Sequence, residues 1–230
     1  WSKSGLIDTE LHLRYGLVKD YFMKCRKVDM GIFVGGIFPS GEKRDPEYPF
    51  SIPFGGNGHW GFYVGSEGMF ELKEDWKLSL RLQVQKRFEK TYQNQRMSVN
   101  NEWIGLGALS GPLEIDPGVT FMFSPAFTFG DLRNGWGAGV QYVITNHAGD
   151  VWTDMRKDQT IKTTLNSLYK KSSWVAEYVI VTVFYDHDRN IQEKHVHPVV
   201  QFEWNIPVHL LGAEKISKTN LLSLGLVFHF

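Results

Sequence analysis

The chain has 230 residues, and its 25 lysines and arginines balance its 25 aspartates and glutamates, so the formal net charge is zero. That balance argues against a nucleic-acid-binding surface, and the single cysteine, Cys25, rules out an intrachain disulfide and the spaced cysteine motifs of zinc sites. No stretch approaches the roughly 18 consecutive apolar residues of a membrane-spanning helix. We predict one all-β domain with no cofactor and no metal site.

Alternating apolar and polar residues predict strands through the first part of the chain, at 6–17, 21–38, 59–70 and from Trp76 onward. The strand that begins at Trp76 has the cleanest pattern, because its leucines and Val84 share one face while Lys77 and Arg81 share the other. Its length of about eleven residues is what a tilted strand needs to cross a bilayer, against about five or six in globular sheets.

Further strands are predicted at 119–129, 136–146, 174–185 and 199–206. Pro125 interrupts the first of these, which suits the edge of an apolar band more than its middle. Long polar stretches at 40–58, 89–117 and 147–172 alternate with short turns, and this asymmetry is typical of transmembrane barrels. Within the third stretch, Asp150, Asp154 and Asp158 recur every four residues, which predicts one side of a short surface helix.

The chain ends on residues 220–230, N-L-L-S-L-G-L-V-F-H-F, in which one strand face collects five apolar side chains: Leu222, Leu224, Leu226, Phe228 and Phe230. This segment resembles the C-terminal signal strand of Gram-negative outer-membrane β-barrel proteins, whose terminal Phe and apolar row are recognised by the barrel-insertion machinery. The resemblance implies an antiparallel up-and-down transmembrane β-barrel of about 10–12 strands in the bacterial outer membrane. Its apolar rows would face outer-membrane lipid and its charged rows would face the lumen.

Strand direction leads to a hypothesis about the start of the barrel domain, which spans residues 1–230. If Phe230 ends in the periplasm and every strand reverses direction, Trp1 starts outside the cell, whereas bacterial single-chain barrels normally have both ends in the periplasm. We therefore hypothesise that at least one N-terminal strand precedes Trp1.

The candidate pore-lining residues are the polar side chains expected on the inward rows: Glu10, His12, Arg14, Lys77, Arg81, Gln83, Gln85, Glu177, Gln201 and Glu203. Such charges either pair across a narrow lumen, because an unpaired charge away from water is costly, or line a water-filled pore that selects solutes by charge. The favoured function is a porin-like channel for the passive passage of small solutes.

Three other functions stay open. The first is a non-conducting structural barrel whose long loops bind a protein partner or the cell envelope, and an oligomer stays open as well. The second is a soluble lipocalin-like binding protein, whose apolar rows would point inward to a ligand. The third is an outer-membrane lipid hydrolase, which pairs a His with a Ser; His59 and Ser66 have those residue types, but no matching motif surrounds them. We predict no catalytic residue.

Overall fold

The computed structural model describes residues 5–48, 51, 53, 55–100, 106–133, 135–186, 197–214 and 219–229. These residues form twelve strands and one helix: β1 (Thr9–Asp20), β2 (Lys27–Phe38), β3 (Gly61–Lys73), β4 (Trp76–Arg87), β5 (Lys90–Met97), β6 (Leu109–Asp116), β7 (Thr120–Arg133), β8 (Trp136–His147), β9 (Val151–Asp154), α1 (Asn166–Ser172), β10 (Trp174–Asp186), β11 (His197–Pro207) and β12 (Leu221–His229). The helix in this part of the chain lacks the length and apolar character that crossing a membrane requires.

Nine strands form one antiparallel sheet in the order β1-β2-β3-β4-β7-β8-β10-β11-β12. Each strand therefore pairs with the one that follows it within this sheet. The all-β, antiparallel prediction is confirmed, and these nine strands lie close to the segments that alternation indicated. Among the described residues, β1 and β12 are the two edges of the sheet and are not paired with each other.

The sheet has two chemically different faces. Following the register across the first four strands, Tyr15 pairs with Ile32, Ile32 with Ser66, and Ser66 with Leu82, so these residues share what we call the apolar face. The alternate positions form the polar face. The polar face is the more enclosed one in β2, where Phe33 is 4% exposed while its neighbour Ile32, on the apolar face, is 62% exposed.

The connections of the sheet differ at its two rims. Short turns at 21–26 and 74–75 join β1 to β2 and β3 to β4 at one end, the short-turn rim. The longer connections 39–60, 88–119, 148–173 and 208–220 lie at the opposite end, the long-loop rim. Because β1 begins beside Phe38 at the long-loop rim and β12 begins beside Asn205 near the same rim, both edge strands run in the same direction.

Three strands that alternation did not predict form a second sheet, in the order β5-β6-β9, from two of the long connections. With α1 they enclose a small hydrophobic core of Tyr92, Met97, Leu113, Ile115, Leu165 and Leu168. We call β5, β6, β9, α1 and the 39–60 connection the rim cap. The prediction of a helix through the spaced aspartates is wrong, because Asp154 ends β9 and the helix begins only at Asn166. Val151 and Trp152 favour extended backbone and pair with β6 instead.

The 39–60 connection is held to the rest of the rim cap by hydrogen bonds to its backbone carbonyls. The hydroxyl of Tyr92 donates to the carbonyl of Asn57 at 2.6 Å, and Lys90 Nζ donates to the carbonyl of Gly58 at the same distance. At the foot of the cap, Arg87 pairs with the nearly buried carboxylate of Asp8 at 2.8 Å. The described residues of the 39–60, 88–119 and 148–173 connections are therefore packed together.

Pro125 lies inside β7, where the edge of a band was expected. Its pairing with Leu80 of β4 is kept, whereas the register with β8 is interrupted between Phe123 and Ala126. Proline has no N–H to donate to a ladder, so the missing bond falls on one side only. Phe121, Phe123 and Phe127 place their rings on the apolar face around it.

Candidate functional site

The register of the large sheet places nine of the ten candidate residues on the polar face: Glu10, His12, Arg14, Lys77, Arg81, Gln83, Gln85, Gln201 and Glu203. Glu10, His12 and Arg14 lie on the edge strand β1, and Lys77, Arg81, Gln83 and Gln85 lie on β4. Their common face was predictable from alternation alone. Their role as pore-lining residues stays a prediction.

The prediction for Glu177 has the wrong face. Glu177 pairs with Ile144, and Ile144 pairs with Phe123, which puts Glu177 on the apolar face. It is nevertheless fully buried, because residues 208–211 cover it and the backbone N–H groups of Leu210 and Leu211 donate to its carboxylate at 2.7 and 3.0 Å. In β10 both faces are mostly apolar, so Glu177, the one charged residue before the strand end at Asp186, gave no reliable indication of its side.

A cluster of three charges occupies the polar face of β1 to β3. Arg14 donates from Nε to Glu67 and from Nη2 to Asp29, both at 2.5 Å. The guanidinium lies against Gly16 and Gly31, where a side-chain carbon would collide with it. The absence of a side chain at these two glycines therefore leaves space for the Arg14 guanidinium, which forms ion pairs with carboxylates of β2 and β3. Asp29 and Glu67 were not among the sequence candidates, although each alternates with apolar-face residues of its strand.

Arg81 lies beside this cluster without a carboxylate of its own. Its guanidinium carbon is 4.6 Å from the centroid of the Phe33 ring, a cation–π distance, and its Nη2 donates to Gln83 at 3.1 Å. Among the described residues no carboxylate oxygen comes within 4.0 Å of it. Arg81 is therefore a positive charge that is held in place but not neutralised.

Glu203 is the negative counterpart on the far half of the sheet. Its carboxylate accepts hydrogen bonds from Gln201 Nε2 at 2.5 Å and from the Ser223 hydroxyl at 3.4 Å. Within the described part of the chain it has no cationic partner. A carboxylate held only by neutral donors keeps its full charge toward the space above the polar face.

Two adjoining recesses connect Arg81 with Glu203. The first, of about 400 Å³, is lined by Arg14, Asp29, Glu67 and Arg81, and the second, of about 270 Å³, by Thr128, Thr182, Gln201 and Glu203. Ala126 and Gln141 line both recesses, and Gln141 is held by a 2.6 Å hydrogen bond to Ser124. Ser124 and Gln141 were missed as candidates, although Gln141 alternates with apolar residues of β8. The arrangement presents hydroxyls and amides between two fixed, opposite charges.

A further recess lies elsewhere. It measures about 440 Å³ and opens mainly on the apolar face of β1 to β3, with Leu17, Met30, Ile32 and Phe70 around Gly68. Its lining is almost wholly apolar, and it contains none of the unpaired charges of the polar face. It contributes to the shape of the apolar surface and not to the polar site.

The final strand keeps its predicted alternation. Leu222, Leu224 and Leu226 share the apolar face, and Leu224 is 75% exposed. The backbone of Phe228 pairs with that of Pro198. Phe230, the last residue of the predicted signal strand, lies outside the described residues.

His59 and Ser66 do not form a catalytic pair. His59 is buried in the rim cap, where its Nδ1 bonds to the carbonyl of Phe88 at 2.8 Å and its ring contacts Tyr92 edge to face. Ser66 lies on the apolar face between Ile32 and Leu82. The environment of His59 is that of a structural residue.

Comparison with known proteins identifies no relative: no protein-family model matches the chain, and no curated protein matches it.

Proposed function

We propose that this chain forms the wall of a bacterial outer-membrane β-barrel whose lumen passes small polar solutes. The observation that carries the proposal is the division of the nine-stranded sheet into an apolar face that carries many exposed large apolar side chains and a polar face with unneutralised charge. A large exposed apolar surface is costly in water and favourable in lipid. The apolar face of such a sheet is stable against lipid, and its charged polar face is stable against water.

Aromatic residues at the strand ends support a membrane setting. Trp60, Trp76, Trp136 and Trp204 lie at or near strand ends on the apolar face, and all four are exposed. Tryptophan is enriched at the two membrane interfaces, where its apolar ring and its N–H group are both satisfied. Trp174 is the exception, because it stacks on His147 at the long-loop rim.

Unpaired charge on the polar face supports a hydrated lumen. Arg81 and Glu203 are fixed by neutral groups, and a fixed charge without a counter-ion is tolerated only where water reaches it. Charges arranged in this way on the wall of a pore select solutes by sign. A solute with both polar groups and charge would find donors and acceptors on opposite sides of the same passage.

Closure of the barrel requires more than the nine described strands of the sheet. Because β1 and β12 run in the same direction, an antiparallel closure needs an odd number of further strands between them. Closure of the sheet into a barrel is part of the proposal.

Planar-bilayer recording of the refolded chain at two salt concentrations tests the channel. We expect discrete conductance steps that grow with salt, and we expect Arg81→Glu to change the current and its ion preference. Lys24→Glu, at an exposed position of the 21–26 turn that pairs with no carboxylate among the described residues, makes the same charge change outside the sheet and serves as the control. Stable insertion without conductance would contradict the channel, and failure to insert would contradict the membrane setting.

The rim cap supports a second candidate function, in which the barrel is structural and binds a partner through its loops. The cap has its own sheet, helix and hydrophobic core, which is more order than a channel requires of its loops. Insertion without conductance in the same recording would favour this function.

A further inference from the structure

A small recess of about 40 Å³ lies in the rim cap between the 39–60 connection and the β5-β6-β9 sheet. Its polar lining consists of Arg44, Asn57, Gln95, Arg96 and Trp152, and Pro46 and Ile115 complete it. All the polar side chains are hydrogen-bond donors, and none of the described lining residues is acidic. We propose that this recess binds a small carboxylate, either free or as part of a larger solute.

The first observation is an unsatisfied donor. The indole Nε1–H of Trp152 is buried and has no hydrogen-bond partner. Buried N–H groups in folded proteins are nearly always paired, since leaving one unpaired costs about as much as losing a hydrogen bond. The half-buried Gln95 lines the same recess and has no hydrogen-bond partner within the described residues. The buried indole donor indicates that an acceptor is supplied from outside the chain.

The second observation is the fixed positive charge. Arg96 donates from Nε to the carbonyl of Pro46 at 3.2 Å and from Nη1 to the carbonyl of Gly107 at 3.4 Å. These bonds orient the guanidinium through two of its nitrogens, so the N–H groups of Nη2 remain available. Burial lowers the pKa of the Arg44 guanidinium, which lines the same recess and adds a second positive charge to it.

Size and shape favour a carboxylate over larger oxyanions. A buried water needs about 10–15 Å³, so a recess of about 40 Å³ holds roughly three small atoms. That number matches the carbon and two oxygens of a carboxylate and is too small for the five heavy atoms of a phosphate. The planar N–H groups of Arg96 Nη2 also suit a planar carboxylate acceptor. This inference does not depend on conduction through the sheet.

Titration of the indole N–H signals by ¹⁵N–¹H spectroscopy tests the proposal on the full chain in detergent. Sodium formate is added at constant ionic strength against sodium chloride, and the Trp152 signal is assigned from its loss in Trp152→Phe. We expect that signal to shift downfield and to saturate with formate, while the other indole signals stay in place. Arg96→Gln should weaken formate binding about tenfold, because a charge-assisted hydrogen bond is lost.

Lys157→Gln is the matched control, because it removes one positive charge from an exposed position after β9 that does not line the recess. It should bind formate as the unaltered protein does. Gln95→Leu gives an independent test if Arg96→Gln disturbs the cap, and it should also weaken binding. The proposal is overturned if the Trp152 signal does not respond, if chloride alone produces the same saturating shift, or if Arg96→Gln and Gln95→Leu both bind as Lys157→Gln does.

Discussion

Both carboxylate oxygens of Glu177 accept a hydrogen bond from the backbone N–H of Leu211, each at 3.0 Å. The N–H of Leu210 and the hydroxyl of Tyr142 also donate to it, at 2.7 and 3.0 Å. A carboxylate on an otherwise apolar face is thereby satisfied by uncharged donors. The connection between β11 and β12 folds back over the sheet, where this side chain and the backbone bridge between Val175 and Glu214 hold it.

Replacing Glu177 with Leu should release this connection. Two charge-assisted hydrogen bonds to the backbone would be lost, and their combined contribution of about 3 kcal/mol corresponds to a roughly 100-fold change in local opening. We expect amide hydrogen exchange at Leu210 and Leu211 to accelerate by that factor. Glu203→Leu makes the same change on the polar face and should leave both amides protected. Unchanged protection in Glu177→Leu would contradict this role.

Arg81 and Glu203 should set the ion preference of the proposed channel in opposite directions. In a salt gradient, Arg81→Gln should move the reversal potential toward cation preference because a fixed positive charge is lost. Glu203→Gln should move it toward anion preference by a similar amount. The double variant should return close to the original value. Shifts of the same sign in both single variants would show that the two residues do not face a common aqueous path.

Asp8 should make the stability of the rim cap depend on pH, with a loss of stability in acid. Burial alone would raise the pKa of its carboxyl, but the Arg87 guanidinium and the N–H groups of Gly56 and Gly41 hold that pKa below its usual range. A lowered pKa contributes stability that is present above the unfolded value of about 3.9 and is lost as the pH falls through the folded value.

Asp8→Asn should therefore cost about 2 kcal/mol of unfolding free energy at pH 7. The difference from the unaltered protein should shrink below about pH 4. Urea unfolding followed by tryptophan fluorescence measures both, and Asp20→Asn, at an exposed strand end, is the control. A difference that persists in acid would show that packing, not charge, accounts for the loss.

His59 should make the same region sensitive to milder acid. Burial lowers the pKa of its imidazole, and the nearby Lys90 and Arg87 act in the same direction. The unfolded chain then takes up a proton before the folded one, so stability falls as the pH drops below the unfolded value of about 6.5.

The loss of unfolding free energy between pH 6.5 and pH 5 should be at most about 2 kcal/mol, since each pH unit corresponds to about 1.4 kcal/mol for one proton. His59→Gln keeps a donor for the Phe88 carbonyl and should flatten this dependence. His12→Gln, on the exposed edge strand β1, should not. An equal slope in His59→Gln and the unaltered protein would contradict the assignment.

Alternation was sufficient to predict the strands of the large sheet where the two faces differ in polarity. Trp76–Arg87 shows this best, because Leu78, Leu80 and Leu82 alternate with Ser79 and Arg81 without exception. It failed for β10, where Val175, Val179 and Val181 share a face with Glu177 and the other face is also largely apolar. There the covering segment 208–211 decides the side, and it is distant in sequence.

The rim cap could not be predicted from local pattern. Its strand β9 is only four residues long, and it pairs with β6 across the whole of the β7–β8 hairpin. The Trp152 recess exists only where these segments meet the 39–60 connection. Contacts of this kind depend on tertiary packing, which propensity and periodicity do not encode.

The hydrophobic core of the rim cap also constrains the order in which the chain can fold. Tyr92 and Leu113 precede β7, whereas Leu165 and Leu168 follow β8, so the core is assembled from both sides of that hairpin. Until β7 and β8 are paired, closing such a long loop costs more entropy than the few core contacts return. We therefore expect the rim cap to assemble last, after β7 and β8 have paired. A folded cap would then indicate that this hairpin of the large sheet is complete.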